Sequence, residues 1–219
     1  MILKKNQKKK KNLKNPKTKK APNNHLEIKL KIQGYKYIFG IDEVGRGALA
    51  GPLISCALRL PNSKRPYKIR DSKQLSFKKR ADLAKKLASF CDYGFGIVSP
   101  NEINSQGLSW ALEKSYLRAI SQLKTKPDHL LIDGIVGIKK SPCQQTKIIR
   151  GDQKISSIAA ASILAKVYRD EIMIRLAKLE PRFGFEKHMG YGTKYHREMI
   201  YKFGPSPHHR HFGFIKELI

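Results

Sequence analysis

Apolar and polar residues alternate along several short segments, a period of two that is typical of β-strands. The first segment, Leu26–Ile32, has apolar residues at every second position. After the turn at Gln33-Gly34, residues 35–41 are rich in aromatic and β-branched side chains, so the two segments are predicted to pair as a hairpin. Further strands are predicted over residues 53–60, 93–98, 130–132 and 146–149.

Helical spacing of apolar residues separates these strands. Ser76 is predicted to cap a helix over residues 77–90, and a second helix is predicted over 108–123. The longest helical pattern covers 157–179 and stops before Pro181. Strands that alternate with helices predict an α/β fold, with a mixed sheet flanked by helices.

Composition divides the chain into three parts. Residues 1–24 contain ten lysines and no acid, which predicts a segment that does not fold alone. It is open whether this tail is only a solvated, disordered segment or a non-specific tether for phosphates. Residues 25–183 carry the α/β pattern, and residues 184–219, rich in His, Tyr, Gly and Pro, are predicted to form a compact extension.

Charge narrows the class of partner. The chain has 45 basic and 17 acidic residues, a net charge of +28, and subtracting the ten lysines of the tail leaves +18 on the rest. Such an excess favours a polyanion because each neutralised phosphate releases counterions. Nucleic acid, an acidic lipid surface and the ribosome all remain possible on charge alone.

Targeting and redox signals favour a cytoplasmic protein. No run of about 18 apolar residues is present, and Met1-Ile2-Leu3 leads directly into lysines, which argues against a signal peptide. The three cysteines form no CxxC pair, so we expect reduced thiols and no zinc site.

Acidic residues stand at the ends of three predicted strands. Asp42 and Glu43 end one strand, Asp133 ends another, and Asp152 follows a third. Ligand sites of open α/β sheets cluster at strand ends, and carboxylates there can hold two Mg²⁺ ions for phosphodiester hydrolysis. The alternative is that each acid only caps a turn.

Glycines and basic residues next to these acids suggest phosphate contacts. Gly45, Arg46 and Gly47 follow the acid pair directly, where an exposed backbone and a guanidinium could meet a phosphate, although a lone GxG usually marks only a turn. Lys73 precedes a predicted helix and could balance a phosphate or be one of many surface lysines.

The longest predicted helix and the C-terminal extension add candidates. Ser162, Lys166 and Arg169 share one helix face at i, i+4 and i+7, either as phosphate ligands or as ordinary polar positions. Tyr191 could reach a 2′-hydroxyl or could simply pack. His208, His209 and His211 are interpreted as a basic loop that faces nucleic acid, because Mg²⁺ prefers oxygen ligands.

Taken together and in order, these segments resemble the ribonuclease HII family over roughly residues 35–214. The matching motifs are Gly40–Pro52, Asp71-Ser72-Lys73, Ile132-Asp133-Gly134, Gly151-Asp152, Ala159–Val167, His188–Tyr191 and His209–Phe212. The resemblance implies a ribonuclease H-like fold with a C-terminal helical extension that contacts substrate. Asp42, Glu43, Asp133 and Asp152 are then expected to hold two catalytic ions, Mg²⁺ or Mn²⁺.

The resemblance also implies a substrate. Gly45, Arg46, Gly47 and Tyr191 are expected to recognise the junction between a ribonucleotide and DNA, while Lys73, Ser162, Lys166 and Arg169 bind or organise phosphates. Cleavage is expected on the 5′ side of a single embedded ribonucleotide and within RNA/DNA hybrids, leaving a 3′-hydroxyl and a 5′-phosphate. We expect a monomer.

Three other interpretations remain open. Ribonuclease HIII resembles this chain in its acids but usually carries a folded N-terminal substrate domain, for which residues 1–34 are too short and polar. A proofreading exonuclease also uses four acids, with different spacing. A basic RNA- or ribosome-binding protein would explain the charge and would need neither acids nor metal.

Overall fold

The computed structural model describes residues 21–61, 69, 76–211 and 213–217. The strands are β1 (Ile38–Val44), β2 (Leu53–Arg59), β3 (Asp92–Val98), β4 (His129–Asp133) and β5 (Gln144–Ile148). The helices are α1 (His25–Ile32), α2 (Phe77–Phe90), α3 (Pro100–Gln106), α4 (Leu108–Ser121), α5 (Ser156–Leu179), α6 (Phe185–His188) and α7 (Lys194–Phe203). Short 3-10 turns lie at Gly151–Gln153, Pro181–Phe183 and Gly213–Glu217.

The strands form one mixed sheet in the order β3-β2-β1-β4-β5. β1 pairs antiparallel with β2 and parallel with β4, and β4 pairs parallel with β5. This arrangement confirms the predicted mixed sheet flanked by helices. The carboxyl ends of β1, β4 and β5 therefore lie along the same edge of the sheet.

Successive side chains of β1 point alternately to the two faces of the sheet, and each face is covered by an apolar layer. Phe39 and Ile41 pack against α4, while the opposite face of the sheet meets α5. At Gly40, a Cβ atom would collide with the backbone of Ser157 and Ile158, so the missing side chain lets the start of α5 lie directly on the strand. α5 is buried along most of its length, and this placement fixes the residues that it presents at the strand ends.

Residues 25–32 differ from the prediction, because they form α1 and not the first strand of a hairpin. The helical turn brings Leu26, Glu27 and Leu30 onto one face. Leu30 packs with Ile38 of β1 and with the start of α5, while Ile32 is 83% exposed. The alternation of apolar residues suggested a strand, but only some of these apolar side chains are buried.

The C-terminal extension packs on the second half of α5. Its apolar residues form a cluster with the helix and with Ala50, and the members are Met173, Ala177, Phe183, Phe185, Ile200 and Ile215. The lysine tail lies outside the described residues as far as residue 20. Asn23 is described and forms a parallel bridge with Ile155, at the start of α5. The three cysteines are free.

None of the helices that the structure describes is long and apolar enough to cross a membrane.

Candidate functional site

The predicted carboxylates come together at the edge where parallel strands end. Asp42 and Glu43 lie at the end of β1, and Asp133 ends β4. Ile41 is paired with Ile132, so Asp42 and Asp133 follow at matching positions on adjacent strands. Asp152 lies in the 3-10 turn after β5. All four acids line one cavity of ≈ 360 Å³.

The two acids of β1 point to opposite faces of the sheet, as consecutive strand residues do. Asp42 is only 7% exposed and accepts a hydrogen bond from the hydroxyl of Ser162 on α5. Glu43 accepts a hydrogen bond of 2.6 Å from the hydroxyl of Tyr116 on α4. Helices on both sides of the sheet therefore orient the acid pair.

Burial and the closeness of these acids to one another make their ionised forms less favourable. Burial raises the pKa of Asp42 well above its usual range, and the nearby charges of Glu43 and Asp133 raise it further. Burial also raises the pKa of Glu43, although the hydroxyl of Tyr116 and the guanidinium of Arg46 lower it in part. A divalent cation among these acids would relieve both effects.

The donor set fits a hard cation that keeps some of its water ligands. In the described part of the chain, no three His, Cys, Asp or Glu side chains are already arranged as a metal site. Two of the acids accept backbone hydrogen bonds, Asp42 from Glu43 at 2.8 Å and Asp133 from Gly151 at 2.6 Å. Carboxylate oxygens are the ligands that Mg²⁺ prefers, and a few of them suffice because the ion usually retains several waters.

The glycine loop, residues 45–52, connects β1 to β2, and its first residues form the rim of the cavity. Gly45, Arg46 and Gly47 line it, and the Arg46 guanidinium lies 3.8 Å from the Glu43 carboxylate. Tyr191 of the extension also lines the cavity, and it joins the loop through an antiparallel bridge to Ala48. The structure thus brings together the loop and the tyrosine that the sequence proposes for substrate recognition.

Arg169 does not join the other predicted phosphate ligands. Its side chain is fully buried and donates to the carbonyls of Ala50 at 3.0 Å, Pro52 at 2.9 Å and Met189 at 2.8 Å. A guanidinium in this position cannot meet a phosphate in the cavity without breaking these bonds. Arg169 therefore holds the loop in place and does not make the expected contact with a phosphate.

Arg210 of the extension holds the same loop from a second direction, which the sequence did not suggest. It is fully buried and donates to the carbonyls of Gly45 at 2.6 Å, Arg46 at 3.3 Å and Gly51 at 2.8 Å. Burial lowers the pKa of Arg210 to about 9. In the sequence, Arg210 stands between His209 and His211, and this position does not indicate which carbonyls it contacts.

Of the remaining candidates, Ser162 and Lys166 line the cavity, and Lys73 lies outside the described residues. Arg80 of α2 also lines the cavity and was missed, because its helix pattern does not distinguish it from the neighbouring basic residues.

The interpretation of the C-terminal histidines as a loop facing nucleic acid is wrong for His209. Its ring is fully buried and lies 3.1 Å from the ring of His196 between their Nε2 atoms. Ser206 donates its backbone N–H to His209 Nδ1 at 2.9 Å. His209 therefore belongs to the packing of the extension, while His211 is exposed.

Known proteins of one family are similar to this chain in sequence and in fold. The family model described as Ribonuclease HII matches residues 39–214. A ribonuclease HII of Chlamydia pneumoniae is 44% identical over 196 residues, which cover 88% of this chain and 91% of that protein. The crystal structure of ribonuclease H2 from Pyrococcus horikoshii has a TM-score of 0.72 at 25% identity, covering 84% of this chain and 97% of its own. The fold is also similar to that of Bst-RNase HIII in complex with Mn²⁺, with a TM-score of 0.64 at 17% identity, covering 83% of this chain and 68% of that one.

Proposed function

The chain belongs to the ribonuclease HII family, and we propose that it nicks duplex DNA on the 5′ side of an embedded ribonucleotide. Family membership makes it a metal-dependent nuclease that cleaves the RNA strand of RNA/DNA hybrids. The observation that carries the proposal is the pairing of Asp42 and Asp133 on adjacent strands, in one cavity with Glu43 and Asp152.

In this proposal the four carboxylates hold two divalent ions, Mg²⁺ or Mn²⁺. When bound, such ions would activate the attacking water and stabilise the leaving 3′-oxygen, and the products would carry a 3′-hydroxyl and a 5′-phosphate. Asp42 and Asp133 hold their oxygens side by side at the strand ends, and Tyr116 fixes the rotamer of Glu43. Ser162 orients Asp42 from the opposite face of the sheet.

The rim of the cavity provides the contacts that distinguish a ribonucleotide. The backbone of Gly45 and Gly47 approaches the sugar and phosphate. At Gly47 the missing side chain leaves open space for a ligand, while at Gly45 it makes room for Arg169 behind the loop. Tyr191 packs beside this loop, and its hydroxyl is the candidate partner for the 2′-hydroxyl. Arg46, Lys166 and Ser162 contact the phosphates that flank the junction.

We assign catalysis to residues 25–183 and substrate contacts to the extension, residues 184–219. The partners are RNA/DNA hybrids and DNA that contains ribonucleotides, and the active form is a monomer. The excess of basic residues supports a duplex as substrate, because its two strands give it a high density of phosphate charge.

The test is cleavage of a labelled DNA duplex that contains one ribonucleotide, with Mg²⁺, Mn²⁺ or a chelator. We expect a metal-dependent nick on the 5′ side of the ribonucleotide. D133N is expected to abolish the nick and to keep binding of the duplex, because the amide cannot supply the negative charge that a cation needs. D82N, at an exposed acid of α2 outside the cavity lining, is the matched control.

Full activity of D133N would contradict the metal assignment. Cleavage of long hybrids without a nick at a single ribonucleotide would contradict the proposed specificity. Tight, salt-sensitive binding without cleavage under any metal condition would favour a basic nucleic-acid-binding protein.

A further inference from the structure

A fifth acid, Asp170, lies near the cavity but does not line it. It is on α5, one residue after Arg169, and its side chain is 4% exposed. Its Oδ1 atom accepts a hydrogen bond of 2.7 Å from the ammonium group of Lys166. Its Oδ2 atom lies 3.9 Å from a guanidinium nitrogen of Arg80. One buried carboxylate thus contacts two cations.

Both of these cations line the cavity, although they come from different helices. Lys166 lies one turn before Asp170 on α5, and Arg80 is on α2. The Arg80 side chain is 13% exposed, and that of Lys166 is 32% exposed. The Asp170 carboxylate therefore holds the positive groups of Lys166 and Arg80 in a fixed position relative to each other.

The position of Lys166 needs an explanation, because its side chain is long and flexible and acids surround the cavity. Asp42, Glu43, Asp133 and Asp152 line the same cavity and would attract a free ammonium group. A lysine paired with one of these acids would displace a cation and leave the phosphate without a ligand. The contact with Asp170 occupies the ammonium group of Lys166 and removes rotamer freedom before substrate binds.

We infer that Asp170 is a positioning residue that holds Lys166 and Arg80 toward the phosphate of the substrate. The inference rests on the proposed function, which places a phosphate in this cavity. Asp170 does not touch the substrate, and its effect on the reaction passes through the two cations.

A double-mutant cycle with D170N and K166Q tests this inference. We measure the dissociation constant for the ribonucleotide duplex in chelator, and KM and kcat with Mg²⁺. Each single variant is expected to weaken binding about tenfold, because each removes or misplaces a charge-assisted contact with a phosphate. The double variant is expected to bind more weakly than K166Q, but by clearly less than the roughly tenfold effect of D170N alone, because only the part that passes through Arg80 remains. The expected change is in KM, and the salt dependence of binding is expected to fall by about one phosphate contact.

The matched control is E102Q. Glu102 makes an ion pair of 2.6 Å with Arg118, and neither residue lines the cavity. We expect E102Q to lower the unfolding temperature and to leave duplex binding and KM unchanged. If D170N does not fold, D170S carries the same cycle, because the smaller side chain admits water beside Lys166.

Independent effects of D170N and K166Q would overturn the inference, as would a D170N protein that loses stability and keeps wild-type KM. These outcomes differ from failure of the proposed function, in which the wild-type protein cuts no substrate. The binding cycle in chelator needs no cleavage, so it decides the role of Asp170 in either case.

Discussion

Single side chains from two helices determine how the acids of the cavity are held. Asp42 is oriented by Ser162 of α5, and Glu43 by Tyr116 of α4. The acids could be predicted from the sequence because they stand at strand ends. Tyr116 could not, because its helical spacing predicts only an apolar position and says nothing of where the hydroxyl reaches.

Y116F is expected to leave the Glu43 carboxylate less well oriented and so to lower the affinity for metal. Tyr116 is 1% exposed, so the ring of phenylalanine fills the same space and the fold is expected to remain. Loss of a hydrogen bond to a metal-binding carboxylate typically costs about 10- to 100-fold in metal affinity or activity. The measurement is the Mg²⁺ concentration for half-maximal cleavage, with Y93F as control because Tyr93 does not line the cavity. An unchanged Mg²⁺ requirement would contradict this role.

G45A is expected to disrupt the glycine loop. Gly45 has φ +87°, and an added Cβ would collide with the guanidinium of Arg169, which holds the loop. A side chain in this backbone region costs about 1–3 kcal/mol, before the displacement of Arg169 is counted. We expect a lower free energy of unfolding in denaturant and loss of cleavage. Gly47 has open space for a Cβ, so G47A is the control for stability, and equal stability of the two variants would refute the argument.

At the scale of elements, α1 joins the catalytic fold although it precedes the residues matched by the family model. Glu27 of α1 is buried and accepts hydrogen bonds from the backbone N–H of Ser157 at 3.1 Å and from its hydroxyl at 2.9 Å. Ser157 lies in the first turn of α5, where the N–H groups have no partner within the helix. α1 thus caps the helix that carries Ser162 and Lys166.

E27A is expected to destabilise the protein by about 1–3 kcal/mol, because it leaves the buried N–H of Ser157 without its acceptor. The measurement is the free energy of unfolding in urea. K29A, at an exposed position of the same helix, is expected to change stability by less than about 0.5 kcal/mol. If both variants were equally stable, α1 would not be a cap of α5.

The strands and long helices were predicted well where one periodicity was sustained. β2, β3, β4 and α2 lie within a residue or two of the predicted bounds, and Ser76 caps α2 as expected by accepting from Lys79. The prediction of a strand in the region of α1 was wrong. A segment of eight residues is too short for its apolar pattern to distinguish a helix from a strand when tertiary contacts decide. α3 was not predicted, since its polar sequence has no apolar period.

At the scale of the molecule, the C-terminal extension is joined to the glycine loop by buried polar contacts. Tyr191 pairs with Ala48, and Arg210 holds the carbonyls of Gly45 and Gly51. Composition predicted that the extension exists, but a sequence cannot show which of its basic side chains turn inward. The cavity is therefore completed by a segment distant in sequence from the four acids, and its rim depends on how the extension is packed.

A chain of neutral histidines maintains that packing and predicts sensitivity to acid. Ser206 donates to His209 Nδ1, so the Nε2–H of His209 donates to His196, whose Nδ1–H donates to the carbonyl of Tyr191 at 3.0 Å. A proton added to His196 would place two N–H groups against each other. Burial lowers the pKa of His196 to about 4 and, together with the nearby His196, lowers that of His209 to about 3.

Because the unfolded chain takes up these protons near the ordinary pKa of 6.5 and the folded protein does not, stability is expected to fall as the pH drops from 6.5 toward 4 and 3. The measurement is the unfolding temperature between pH 7.5 and 4, followed with a probe of the extension. H209Q is expected to flatten this dependence, because glutamine does not titrate, and to be less stable at neutral pH. H25Q, at an exposed position outside the chain of histidines, should follow the wild-type curve. If H209Q kept the full wild-type pH dependence, the acid sensitivity would have to come from other groups, and the packing of the extension would not depend on a neutral His209.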